Sequence, residues 1–373
     1  DGEITVAQTV SETGAFNFTL TFAPNVYLGE SLQDSTSEII GRFYPAYFYV
    51  SGNSPMVRNG RDENADPLVD SWSCNFTYQD QPFEYSIHPQ ITIDARNTSN
   101  VTTKNYDGDY WKLDDLQDQR SYIDKAEQGP TLIKDAAETP NITYDKGIGY
   151  DGKAFLNIED ERFIYQKTNF GPAANDAPFD SAMTLVLHKD DLKDSDDVCF
   201  MVGAAGSCLP FTFSDIRGAK IRYGRAVMEN AFGPENVDLR IPLRVEYWGG
   251  SQFVTNTDDH CSKYSSAPTS LVLSAYTNNL NNGETEAQVS GVAGGGGLFD
   301  LGGYPAGQAL YLTKPGIGNE GSVGVRHAFE QWLKFDWDGS GSISGTADDP
   351  SATVTFGRYR GHDRIIYWRE SSN

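Results

Sequence analysis

Apolar side chains recur at every second position in short runs, and each run is cut off by Gly, Pro or a polar cluster. Phe16, Phe18, Leu20 and Phe22 alternate with polar residues until Pro24, the same two-residue period returns at 87–95, and further apolar strand-like runs stand at 155–158, 163–165, 184–188 and 241–247. A period of two puts one face of an extended segment into a core and the other into water. Strand, turn and strand at such short intervals predict an antiparallel sandwich. The expected fold is therefore all-β: two or more antiparallel Ig-like or jelly-roll-like β-sandwich domains with few short helices. Residues 116–125 and 325–334 are the two helix candidates, and neither a heptad nor a fixed-period repeat is present.

At 373 residues the chain exceeds one ordinary core, which predicts two or three domains. The expected division is 1–40 as N-terminal strands packing on a neighbouring domain, 41–215 as one sandwich, and 216–373 as a second that ends in an acidic loop and a terminal strand. Gly249-Gly250 predicts a two-residue hairpin turn. Residues 281–307, rich in Gly, read as extended loop and short strand.

Hydrophobic residues make up 38% of the chain, enough for real cores. The net charge of -23, from 52 acids against 29 bases, repels nucleic acid and anionic headgroups and favours bound cations or solubility. Neither a nucleic-acid partner nor direct membrane insertion is expected, since no apolar run has spanning length. Because the chain opens at Asp1 without Met, it is taken as a mature product or the excised end of something longer.

Four cysteines permit three pairings, none with the doubled spacing of a zinc site. Cys199 and Cys208 bracket a Gly-containing stretch that can close as a small disulfide loop, and Cys74 with Cys261 would then clip distant segments. The alternative is four reduced cytosolic thiols; the adopted reading is extracellular.

The most chemically suggestive stretch lies near the C-terminus. Asp336, Asp338 and Ser340 stand at alternate positions, Gly341 is sixth and the Ser342 carbonyl seventh, which is the spacing of a calcium loop. Position twelve is Ala347 instead of Glu, so Asp348 or Asp349 has to curl back to complete the site. Calcium is the cofactor expectation, with weak affinity; the plain alternative is a hairpin loop whose acids cap their own amides.

Asp336-Trp337-Asp338-Gly339, then Phe356-Gly357-Arg358-Tyr359-Arg360-Gly361-His362, closely resembles the C-terminal end of MshQ-type proteins. Gly41-Arg42-Phe43-Tyr44-Pro45, Ile221-Arg222-Tyr223-Gly224-Arg225 and Pro315-Gly316-Ile317-Gly318-Asn319 follow in the same order, so the resemblance covers roughly residues 15 to 370. Ser340 departs from it, where the family carries Asp. The resemblance implies a β-rich surface module associated with the mannose-sensitive haemagglutinin type IV pilus of Gram-negative bacteria, with pilus subunits or other surface proteins as partners.

Other candidates carry plainer readings. Asp190, Asp191, Asp194, Asp196 and Asp197 form a charge run before Cys199, and Asp258-Asp259 precedes Cys261; both predict solvated surface more than metal. Five scattered histidines, without a nucleophile elbow or phosphate loop, argue against an enzyme. Trp72 and Trp337, in loop-like surroundings, are the candidates for stacking on a cell-surface glycan. Arg360 and Arg364 are expected to pair with the acids of the Asp336 loop. The expected function is a non-enzymatic cell-surface module for attachment or pilus assembly. The alternative is a structural subunit of a filament or stalk, and the last is a carbohydrate-active enzyme, which needs two facing carboxylates in a cleft.

Overall fold

Two hydrophobic cores, built almost entirely from strands, organise the chain. The computed structural model describes residues 5–23, 26–60, 74–116, 120–167, 171, 173, 176–290, 295–343 and 345–357. Among them the architecture is all-β, with multiple antiparallel sheets and no helix longer than a three-residue 3-10 turn.

The first core is held between four-stranded sheets. One runs in the order Asn141–Asp145, Lys153–Glu159, Gln90–Arg96, Tyr47–Gly52. Its alternation is visible at Lys153–Glu159, where Ala154, Leu156 and Ile158 are buried and their neighbours are not. A second sheet runs Ser121–Asp124, Phe179–Leu187, Phe211–Arg222, Thr77–Tyr78. Its strand Phe179–Leu187 breaks the alternation, because 181–187 are buried without interruption. Such a strand is covered on both faces, which is why Ala182-Met183-Thr184-Leu185-Val186 is apolar throughout apart from one Thr. A third sheet, Thr131–Lys134, Arg162–Gln166, Phe83–Ile87, Met56–Arg58, adds the aromatic stack of Phe83, Tyr85, Phe163 and Tyr165.

The second core is enclosed by the sheet Ala231–Gly233, Ser351–Phe356, Gly321–His327, Leu271–Ser274 and by smaller sheets, one of them Leu239–Arg240, Ala309–Leu312, Ala287–Ser290.

Both helix expectations fail. Residues 325–334 divide into the end of the strand Gly321–His327, where Gly321, Val323, Val325 and His327 alternate inward, and the 3-10 turn Gln331–Leu333. Residues 121–124 are a strand paired with 183–186. The expected Gly249-Gly250 turn is a four-residue loop, because Trp248 faces Phe253 across the ladder and only Gly250 has positive φ.

The expected division near 216 falls inside a strand. The strand Phe211–Arg222 runs across it, and Ile216, Ala219 and Ile221 pack in the first core. In return Phe76 and Tyr78, far earlier in sequence, pack in the second. The strand Thr77–Tyr78 lies parallel to Ile221-Arg222. Here the Tyr78 ring fills the space a side chain on residue 224 would need, a Cβ there coming within 2.2 Å of it, so Gly224 is required. The disulfide Cys74–Cys261 secures the crossing, and Cys199–Cys208 closes a loop of sequence separation 9. All four cysteines are paired, which fits an oxidising compartment. No helix of the described residues is long and apolar enough to cross a membrane.

The two disulfides should differ in weight. Chain-entropy arguments give about 5 kcal/mol for closing the Cys74–Cys261 loop and about 2.6 kcal/mol for the Cys199–Cys208 loop. Denaturant unfolding of Cys74→Ser/Cys261→Ser should therefore show the larger loss. Equal losses would mean that the crossing segment stays in place without its clip.

Candidate functional site

The crossing segment creates a cavity as it enters the second core. Tyr78 donates its hydroxyl to Asp259 Oδ2 at 2.7 Å and accepts from Asn256 Nδ2 at 2.6 Å. Burial, reinforced by the Asp259 carboxylate, drives the Tyr78 hydroxyl well above its ordinary range, so it is a fixed donor. Asp259 also accepts the amides of Cys261 and Ser262 at 3.0 and 2.9 Å. The acid pair of the sequence is thereby explained: Asp259 shapes the turn that presents Cys261, and Asp258 meets Arg222 at 2.5 Å. The Arg222 guanidinium lies between the rings of Phe76 and Tyr247, 4.7 and 4.6 Å from their centroids.

Beside the Cys74–Cys261 bridge is a cavity of about 270 Å³. Phe76, Tyr264, Phe329 and Trp332 supply aromatic lining, and Ser262, Ser270, Lys263 and Glu330 supply polar groups. His327 is part of its wall and is 2% exposed. Its ring stacks on Phe329 with centroids 4.3 Å apart, Nδ1 donates to the Ala328 carbonyl at 2.9 Å, and Nε2 accepts from the Ser265 amide at 2.9 Å. Burial lowers its pKa to about 4. A neutral imidazole with both nitrogens committed to backbone orients the wall.

The wall formed by 329–333 continues into the acidic loop, and Lys167 of the first core fixes the join. Lys167 Nζ donates to the carbonyls of Gly224, Trp332 and Lys334 at 2.9, 2.7 and 3.0 Å, over the Tyr223 ring. The residue is partly buried but its ammonium is enclosed, and desolvation outweighs the pull of Asp80, lowering its pKa to about 8. Further along, Arg225 is held by Glu246 and stacks against Phe253, Phe335 and Trp337.

In the loop itself, one carboxylate oxygen from each of Asp336, Asp338 and Asp348 lies within 4.8 Å of the others. The Ser340 amide donates to Asp336 Oδ1 at 2.8 Å and Asp338 Oδ1 at 2.9 Å, and the Gly341 amide to Asp336 Oδ2 at 3.1 Å. The Ser340 amide, followed by its hydroxyl, holds the Asp338 carboxyl below its ordinary range. Ser340 Oγ lies 3.3 Å from Ser342 Oγ. Asp348 curls back into the group, its Oδ2 accepting the Gly345 amide at 2.8 Å. Asp349 turns away to Lys334 Nζ at 3.1 Å and the Phe329 amide at 3.3 Å. The all-oxygen donor set suits a hard cation. Trp337, 39% exposed, packs edge-on to Phe335 beside this loop, outside the cavity.

Trp72, Arg360 and Arg364 lie outside the described residues. The run 190–197 is a self-capped turn: Asp194 is buried, accepts the amides of Asp196 and Val198 at 2.9 Å each, and accepts a hydrogen bond from the Tyr106 hydroxyl.

Residues 12–215 match the family model described as DUF6701, third domain, and residues 222–371 the model described as DUF6701, fourth domain. The chain belongs to the DUF6701 family. No curated protein matches it. The junction of the two DUF6701 domains is where Thr77–Tyr78 meets Ile221-Arg222. Sequence reasoning missed the cavity and Lys167, the first because Cys74 and Phe76 meet Trp332 only through the crossing, the second because three carbonyls leave no side-chain signature.

Lys167→Met should strand three buried carbonyls and cost about 3 kcal/mol. The pH response fixes the cause. With a folded pKa near 8 against about 10.5 unfolded, the native state binds fewer protons between those values, so wild-type stability gains with rising pH across that window. The gap between wild type and Lys167→Met should widen from pH 8 to 10 in denaturant titrations; a constant gap would show the ammonium is not enclosed in solution.

Proposed function

We propose that this chain is a non-enzymatic, extracellular attachment module carried by a type IV pilus or a comparable surface fibre, with a carbohydrate ligand. The observation that carries the reading is the cavity beside Cys74–Cys261. At about 270 Å³ it falls just below the range of about 300–1,000 Å³ for drug-sized ligands, which leaves room for one small ring. Aromatic side chains with hydroxyls and a single carboxylate suit the apolar faces and hydroxyl edges of a sugar. Glu330 is the one carboxylate among the described lining residues, which favours holding a sugar over hydrolysing it, since hydrolysis takes a pair.

Calcium is proposed as a brace of the same wall. Asp336, Asp338 and Asp348 would hold it with help from Ser340 and the Ser342 carbonyl, and the ion would supply charge neutralisation.

Two measurements test these assignments. Labelled protein on a glycan array should retain a defined subset of sugars, with Trp332→Ala and the surface change Glu330→Gln each weakening binding at least tenfold while Tm shifts only for the first. An array at background, or binding that survives both changes, removes the carbohydrate reading. For the brace, calcium at tenfold excess over its Kd should stabilise by about 1.4 kcal/mol, raising Tm by about 3–5 °C. The rise should vanish in Asp336→Asn and Asp338→Asn, and identical melting in chelator would leave the loop as a self-capped turn.

A further inference from the structure

Residues 14–23 and 26–43 supply the two sides of one long hairpin, and none of their side chains belongs to either core. Gly14–Phe16 pairs with Ile40–Phe43, Thr19–Leu20 with Ser35–Thr36, and Val26–Tyr27 with Glu30–Ser31. The ladder turns on Leu28 and Gly29, both at positive φ. Its root is tied to the first core: Asn97 Nδ2 donates to the Ser11 carbonyl at 2.9 Å, the Asn105 amide to Glu12 Oε2 at 3.2 Å, and Arg42 pairs with Asp196. Beyond the root both faces are exposed, at 59% for Leu20, 65% for Tyr27, 89% for Leu28 and 70% for Ile39. An isolated two-stranded hairpin is marginal in water, and exposed apolar residues in such concentration mark a contact surface.

The geometry points to a specific occupant, and we propose that the arm docks on the domain that precedes the third domain in DUF6701 proteins. The matched models are the family's third and fourth domains, and the third begins at residue 12, inside the root of the arm. Family order thus puts a second domain on the N-terminal side of that root. Twelve residues from Phe16 to Leu28 extend up to about 40 Å, and a 100-residue domain has a radius of gyration of about 13 Å. A domain joined at the root lies within the arm's reach. A second copy of this chain is the weaker occupant, because a net charge of -23 on each copy opposes association. Glu30, Asp34 and Glu38 along the arm call for an apolar face with a basic rim. The inference rests on family membership and the exposed hairpin, independently of the carbohydrate reading.

The test compares this chain with the encoded protein extended N-terminally through its preceding domain, each with and without Leu28→Asp. Hydrogen exchange is followed at 26–31. In the extended protein the amides of the tip should exchange at least tenfold more slowly than in this chain, and Leu28→Asp should remove the protection without altering Tm of the two described cores. Equal exchange in the two proteins overturns the proposal, as does an encoded protein with no folded domain before residue 1. Self-association of this chain that Leu28→Asp abolishes would assign the arm to a second copy and also overturns it. If the extended protein does not fold, the preceding domain produced alone is titrated onto this chain, where absence of tip protection at saturating concentration overturns it equally.

Discussion

Everything near the cavity depends on residues 74–81 leaving the first core's stretch of sequence and entering the second. Phe76 and Tyr78 are among the largest fully buried side chains, and they are buried against residues more than 140 positions later. Burying two aromatic rings contributes several kcal/mol, and the Cys74–Cys261 link removes much of the entropy cost of bringing such distant segments together. Lys167 makes the reciprocal crossing, reaching from the end of Arg162–Gln166 to three carbonyls of the second domain. The second domain thus draws part of its core and part of its backbone bonding from residues of the first.

Several of the chain's acids are engaged internally. Glu161 is buried against Arg120 with two oxygens engaged, Glu246 bridges Arg225 and Arg244, Asp194 caps a turn and Asp259 shapes another. These carboxylates would be costly to bury unpaired, and their partners are arginine forks and backbone amides suited to both oxygens. The run 190–197, which reads in sequence as solvated surface more than metal, acts as a turn scaffold in the fold. Asp336, Asp338 and Asp348 differ because their oxygens converge on one another.

Strand positions were legible at Lys153–Glu159 and Gln90–Arg96, where apolar side chains are drawn into the core, and were missed at 121–124, 131–134 and 141–145. The reading failed where burial departs from that pattern. Residues 325–334 have the spacing of a short helix, yet Val323 and Val325 are drawn into a ladder between 271–274 and 351–356. No local signal marks Phe76 and Tyr78 as belonging to a core otherwise built from residues beyond 224. Trp332 was passed over for Trp337 because it falls in the helix candidate 325–334 and not in a loop-like stretch, and only the crossing makes it a cavity wall.

The same clip has a mechanical consequence. A chain pulled at its two ends carries the load across Cys74–Cys261, so the residues between them form a closed covalent loop that force cannot lengthen. That loop contains most of the first core and the strands Gly224–Met228 and Leu243–Trp248 of the second. What remains extensible is the N-terminal arm with the strands up to residue 74, and the C-terminal portion that carries the Asp336 loop. In a module loaded through a fibre, a cavity lining set directly on the clipped bond would keep its shape until the strands Gly321–His327 and Ser351–Phe356 separate. The brace proposed across Asp336, Asp338 and Asp348 would act on the connection between those two strands, where the covalent clip gives no protection.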